Sequence, residues 1–130
     1  MPTALIIDPD PKLCEIIDET LREEIPGLIG YNAQNGTDGV RLANEHPFDL
    51  IILSLFLKTK MPADQIIQQI KSIRPNVRII ILSGSDFDLA RAQDEATMQR
   101  LQELGWDAYL VKGNSELELI NAVKKIFQEK

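Results

Sequence analysis

Residues 48–57 read FDLIILSLFL, an almost unbroken apolar run. From Leu50 to Phe56 only Ser54 is polar, and polar and apolar positions do not alternate. A half-buried strand alternates; a nearly continuous apolar run suits a strand covered on both faces, as in a parallel sheet. Working outward, TALIID (3–8), LIGYNA (28–33), VRIIILS (77–83) and AYLVK (108–112) supply four more short runs rich in Ile, Leu and Val. Breaks such as EEIPG, SIRPN, ELGWD and KGNSE punctuate the chain between them.

Helical periods fill the intervals. In residues 11–24, Leu13, Ile16, Ile17, Thr20 and Leu21 share one face, and Pro11 suits the first turn. Residues 36–45 and 63–73 predict two more helices. Residues 87–104 predict a long fourth one, with Leu89, Ala92, Ala96, Leu101 and Leu104 as inward positions. Residues 115–128 predict the last, with Leu117, Ile120, Val123 and Ile126 or Phe127 inward. Five strand–helix repeats joined by right-handed crossovers give a doubly wound, five-stranded parallel sheet. The expectation is a single α/β domain over 1–130, a flavodoxin-like three-layer sandwich with an extended fourth helix.

Composition narrows the function classes. The 130 residues are 44% hydrophobic and 26% charged, as in an ordinary soluble globular domain. No apolar run nears the roughly 18 residues needed to cross a bilayer. The start MPTALIID lacks the basic and apolar regions of a signal peptide, so the expected location is the cytoplasm. A net charge of −6 with dispersed acids argues against nucleic-acid binding, which needs clustered Lys and Arg. The lone Cys14 excludes a disulfide framework and reads as a packed, inert thiol. His46, the only histidine, leaves little for a His-based dyad or a zinc site and reads as a surface residue ending the second helix.

In doubly wound sheets, chemistry gathers beyond the carboxyl ends of the strands. That rule selects Asp8 and Asp10, Ser54, Ser83 and Lys112. Asp8 and Asp10 could begin a Mg²⁺ site, but Asp10 ahead of Pro11 reads better as a helix cap. Asp8 ends an apolar strand and needs a partner there, for which Lys112 is the candidate. A structural Asp8–Lys112 pair and a catalytic one weigh equally. Ser83 sits where a hydroxyl can reach an anion or nearby backbone, as serines at strand-to-loop turns commonly do. No histidine is placed to activate Ser54, and Lys112 is its one candidate base.

Taken together, residues 4–127 resemble a response-regulator receiver domain. ALIIDPDP is similar to the family's acidic start, FDLIILSLFL to its phosphorylation strand, RIIILSGS to its hydroxyl strand and GWDAYLVKG to its lysine strand. The resemblance implies that Asp8 is the first of an acidic pair, Ser83 the hydroxyl, Lys112 the lysine and Tyr109 the switch aromatic. It also implies an Asp at position 54, where this chain has Ser54. Pro9 stands in the second acidic position, Gly113 where a proline follows the lysine, and Lys58 and Pro62 in a loop that ordinarily carries other residues.

The departures share a direction. The family's Mg²⁺ site uses three carboxylates, and here Asp8 alone remains, with Lys58 and Lys60 adding positive charge. Mg²⁺ binding is therefore expected to be weak or absent, with Asp8 its only weak candidate ligand. A serine without base or metal is a poor acceptor of a phosphoryl group. The expectation is a pseudo-receiver: a non-enzymatic, phosphorylation-independent signalling module acting through protein contacts. Ser83 and Tyr109 keep the bistable element that the resemblance implies.

The 29 positions from Ser83 to Lys112 lengthen the fourth helix by about two turns relative to that pattern. The resemblance puts partners on the face of helix four, strand five and helix five: a histidine kinase, an effector domain or a second copy. Trp106 is expected to cover the sheet edge there. The alternative is a haloacid-dehalogenase-like Mg²⁺-dependent phosphatase, because IIDPDP, IIILSGS and Lys112 match its motifs in order, although Pro11 and the missing late acidic pair do not. Ser54 as a target of a Ser/Thr kinase is disfavoured by its place at a buried strand end.

Overall fold

The computed structural model describes residues 2–56, 60–113 and 116–128. In chain order its elements are β1 (Thr3–Ile7), α1 (Pro11–Glu24), β2 (Ile29–Ala33), α2 (Gly36–Glu45), β3 (Leu50–Ser54), α3 (Ala63–Ile73), β4 (Arg78–Ser83), α4 (Phe87–Gln93), α5 (Glu95–Leu104), β5 (Ala108–Val111) and α6 (Glu116–Gln128). The strands form one parallel sheet in the order β2-β1-β3-β4-β5. Adjacent strands run level: Ile6 lies opposite Ile52, Ile52 opposite Ile80, and Ile80 opposite Ala108. The doubly wound architecture expected from the sequence is the one observed.

LIILS, residues 50–54 of that stretch, forms the central strand β3. All five residues of β3 are buried, because helices cover both of its faces. Alternate side chains separate into two cores. Leu5, Ile7, Ile51, Leu53, Ile79 and Ile81 pack toward α2, α3 and α5. Ala4, Ile6, Leu50, Ile52, Ile80 and Leu82 pack toward α1 and α6. Each such Leu or Ile contributes about 1.5–3 kcal/mol by leaving water. Close approach also dictates two α2 positions: a Cβ on Gly39 would fall 2.5 Å from Ile7 Cδ1, and one on Gly36 2.7 Å from Ile66 Cδ1.

Residues 87–104 are helical as expected, but the long fourth helix is two helices. Asp94 closes α4, with its N–H bonded to the Ala90 carbonyl, and its carboxylate then caps α5 by accepting from the Thr97 amide at 3.1 Å. A side chain that satisfies orphan amides favours starting a new helix over continuing the old one. The break resets the helical phase. Ala90, Thr97, Met98 and Leu101 turn inward, while Leu89, Ala92 and Ala96, expected inside, face solvent. Leu117 and Ile16 are also outward: α1 buries Cys14, Ile17 and Leu21, and α6 buries Val123 and Ile126. The rest of each expected stripe holds, since Ile17, Leu21, Val123 and Ile126 are buried, and only Ile16 and Leu117 lie at its outer edge. His46 is more enclosed than expected, half-buried with its ring 4.6 Å from Tyr31.

Candidate functional site

The two-residue period of a strand sorts the polar residues at the carboxyl edge. Asp8 follows β1 in step with Ala4 and Ile6, and Ser54 is in step with Leu50 and Ile52. Both therefore lie on the α1/α6 side, and Lys112 joins them, in step with Ala108 and Leu110. Ser83 is in step with Ile79 and Ile81, on the side of α4 and α5, where Tyr109 also packs. Asp8, Ser54 and Lys112 thus form one group, and Ser83 with Tyr109 a second on the opposite face of the sheet.

The first group is an internal ion pair. Asp8 is 1% exposed. Lys112 Nζ donates to its Oδ2 at 2.8 Å, the Ser54 hydroxyl donates to the same oxygen, and the Asp10 amide donates to Oδ1 at 2.8 Å. Burial alone would raise the Asp8 pKa; the Lys112 and Ser54 hydrogen bonds, the Asp10 amide and the Lys112 charge outweigh it and hold the carboxyl below its ordinary value. A carboxylate so stabilised is a weak base. Ser54, whose candidate base from sequence was Lys112, contacts Asp8 instead and is itself 1% exposed.

The second group is a short relay. The Ser83 hydroxyl accepts from the Ser85 amide at 3.2 Å, and the Ser85 carbonyl accepts from the Tyr109 hydroxyl at 3.1 Å. Tyr109 packs among Phe87 and Trp106, with ring centroids 6.0 and 5.4 Å away. Burial raises the Tyr109 pKa, the nearby Asp86 charge adds to that, and the Ser83 hydroxyl opposes it. Ser85 and Phe87 were missed in the sequence. Their signal was slight: Ser85 acts through its backbone, and Phe87 gains its role only because Asp86 caps α4.

Asp10 is a cap, as its place before Pro11 implied. Its Oδ1 accepts from the Lys12 amide at 2.9 Å, and it contacts Asp8 through its backbone. Lys60 borders a cleft at the start of α2, beside Asn35 and Asp38, and is not among the contacts of Asp8. Lys58 lies outside the described residues. Cys14 is fully buried, and its Sγ donates to the Asp8 carbonyl at 3.7 Å. Among the described residues no three His, Cys, Asp or Glu side chains stand together as a metal would require, and no helix is long and apolar enough to cross a membrane.

A family model described as the response regulator receiver domain matches residues 4–124. The chain belongs to the response regulator receiver family. This receiver is 26% identical over 120 residues to the uncharacterized transcriptional regulatory protein YcbL of Bacillus subtilis, covering 92% of this chain and 48% of that protein. It is 30% identical over 80 residues to the transcriptional regulatory protein GlrR of Escherichia coli, covering 62% of this chain and 17% of that one. The receiver thus spans less than half the length of the curated relatives it matches. A receiver domain protein from Methanospirillum hungatei superposes with a TM-score of 0.83 at 19% identity, covering 99% of this chain and 95% of that one. The response regulator TrrA of Thermotoga maritima, solved in complex with Mg²⁺ and BeF, gives 0.76 at 25% identity, covering 97% and 99%.

Proposed function

We propose that this chain is a pseudo-receiver, a single non-enzymatic domain over 1–130 that signals by protein contact without aspartyl phosphorylation. The observation that carries this reading is the enclosure of Asp8. Its oxygens already hold an ammonium, a hydroxyl and a backbone amide. A hard dication takes several anionic oxygens, and this donor set does not fit one: a single carboxylate whose charge Lys112 neutralises. Ser54, in the position that the family resemblance gives to the acceptor Asp, spends its hydroxyl proton on Asp8 and is sealed from solvent. The phosphatase alternative remains disfavoured by Pro11 and by the lack of a late acidic pair after Lys112.

What remains is a scaffold with a surface. In keeping with the family, the partner is a histidine kinase, an effector domain or a second copy, met on the face of α4 and α5, β5 and α6 in the cytoplasm. Leu89 on α4 and the half-buried Trp106 beside β5 give that face its apolar character. Neither nucleic acid nor membrane suits its acidic balance. The test is incubation with acetyl phosphate and Mg²⁺ followed by intact-mass measurement. The mass is expected to stay unchanged, and the Pro9→Asp/Ser54→Asp variant is expected to gain one phosphoryl group. A phosphoryl adduct on the unaltered protein would overturn the reading.

A further inference from the structure

The margin of the sheet opposite β5 is an open edge, where β2 pairs with β1 alone. The Ile29 amide donates to the Pro2 carbonyl, and the Ala33 carbonyl accepts from the Asp8 amide. The backbone groups of Ile29, Tyr31 and Ala33 therefore face β1. Successive residues of a strand bond on alternate sides, so the amides and carbonyls of Gly30 and Asn32 point away from the sheet. Neither amide has a hydrogen-bond partner among the described residues, and the Gly30 carbonyl meets only Arg22 Nη2, at 3.4 Å. Strand edges are ordinarily blunted by a charge, a proline or a bulge. IGYNA has none of these: its register with β1 is unbroken from Ile29 to Ala33, and Ile29 is 38% exposed.

The charges beside this edge select what pairs with it. Asp18 of α1 lies over Gly30, where a Cβ would fall 1.9 Å from the Asp18 Oδ1. Glu15, three residues before Asp18, and Arg22, four after, share that side of the helix and stand exposed. Because α1 starts beyond the carboxyl end of β1 and runs back, Glu15 flanks the carboxyl end of the edge and Arg22 its amino end. We propose that β2 pairs antiparallel with β2 of a second copy about a two-fold axis at Tyr31, joining the two sheets into one. Gly30 of each copy then exchanges both backbone hydrogen bonds with Asn32 of the other, and Tyr31 lies opposite its counterpart. Reversing one edge against the other brings Arg22 of each copy toward Glu15 of its mate, so the charges are self-complementary. Ile29 comes to lie opposite Ala33 and is shielded from water.

The pairing does not depend on whether the domain takes a phosphoryl group, and it leaves the face of α4, α5, β5 and α6 free. It is tested on the intact chain by sedimentation velocity and amide hydrogen exchange over a range of concentrations. The mass is expected to rise with concentration from 14.7 kDa toward twice that value, while exchange of the Gly30 and Asn32 amides slows in step. Asn32→Pro removes an amide that no bond within the chain uses, at an edge position where proline is tolerated. It is expected to weaken dimerisation at least tenfold with the circular dichroism retained. Arg22→Glu is expected to weaken it too, and Arg22→Glu/Glu15→Arg to restore it. A chain that stays monomeric at millimolar concentration would overturn the proposal, as would dimerisation unaffected by Asn32→Pro. So would a dimer whose Gly30 and Asn32 amides exchange as fast as in the monomer, which would give self-association to another face.

Discussion

Asp8 is an anion enclosed by donors that arrive from three places in the chain, so each donor can be removed separately. Lys112→Met leaves the carboxylate without its counter-ion and is expected to cost about 3 kcal/mol in urea unfolding, the lower end for a buried pair because a third of the Lys112 side chain meets water. A loss below about 1 kcal/mol would mean that water already screens Asp8. Ser54→Ala removes one hydrogen bond of several and should cost about 1 kcal/mol. The pH dependence follows from the lowered Asp8 pKa. Its stabilising contribution is complete above the ordinary carboxylate value of 3.8 and is lost as pH falls through the lower folded value. Acid unfolding curves of Lys112→Met should accordingly fall less steeply there than those of the unaltered protein. At this scale Asp10 was legible, because a cap depends only on its neighbours. The Ser54–Asp8 bond was not, because it joins residues 46 positions apart through the register of two parallel strands.

Among the elements, the break at Asp94 and the seam between α3 and α5 carry the energetics that the sequence concealed. Asp94→Ala removes the α5 cap and is expected to lower stability by about 1 kcal/mol, read from thermal unfolding by circular dichroism. Across the seam, Lys71 on α3 donates to the Leu104 carbonyl at 2.7 Å and ties down the end of α5. Asp64, only 3% exposed, is less well served: Arg100 meets its Oδ2 at 3.4 Å, and its Oδ1 has no hydrogen-bond partner. An unsatisfied buried acceptor costs about 1–3 kcal/mol, so Asp64→Leu is expected to unfold at an equal or higher urea concentration. A marked loss would show that the Arg100 contact outweighs the orphaned oxygen. Helices α2 and α3 were legible to the residue, because one apolar stripe and one break define each. Residues 87–104 were not, because Asp94 closes one helix and opens the next, and a stripe drawn across it mixes two phases. The DEAT stretch that caps α5 was nevertheless present in the sequence.

On the scale of the molecule, near-continuous apolar strands were enough to specify a parallel sheet covered on both sides. The carboxyl-edge rule picked out Asp8, Ser54, Ser83 and Lys112, to which the family resemblance added Tyr109, and the fold sets the four at that edge with Tyr109 nearby on β5. How those residues divide was hidden, because it depends on which face each one takes once the strands are in register: Asp8, Ser54 and Lys112 on one side of the sheet, Ser83 and Tyr109 on the other. The division also frames the functional claim. The ion pair of Asp8, Ser54 and Lys112 closes on itself, while the Ser83–Ser85–Tyr109 relay lies on the side of α4 and α5, and the proposed pseudo-receiver reading rests on that separation. The most direct test is titration with Mg²⁺ and beryllofluoride, followed by Trp106 fluorescence and ¹⁵N NMR. The unaltered protein is expected to show no saturable change into the millimolar range, with binding appearing in Pro9→Asp/Ser54→Asp. A saturable response of the unaltered protein, with shifts at Asp8, Ser83 and Lys112, would contradict the account.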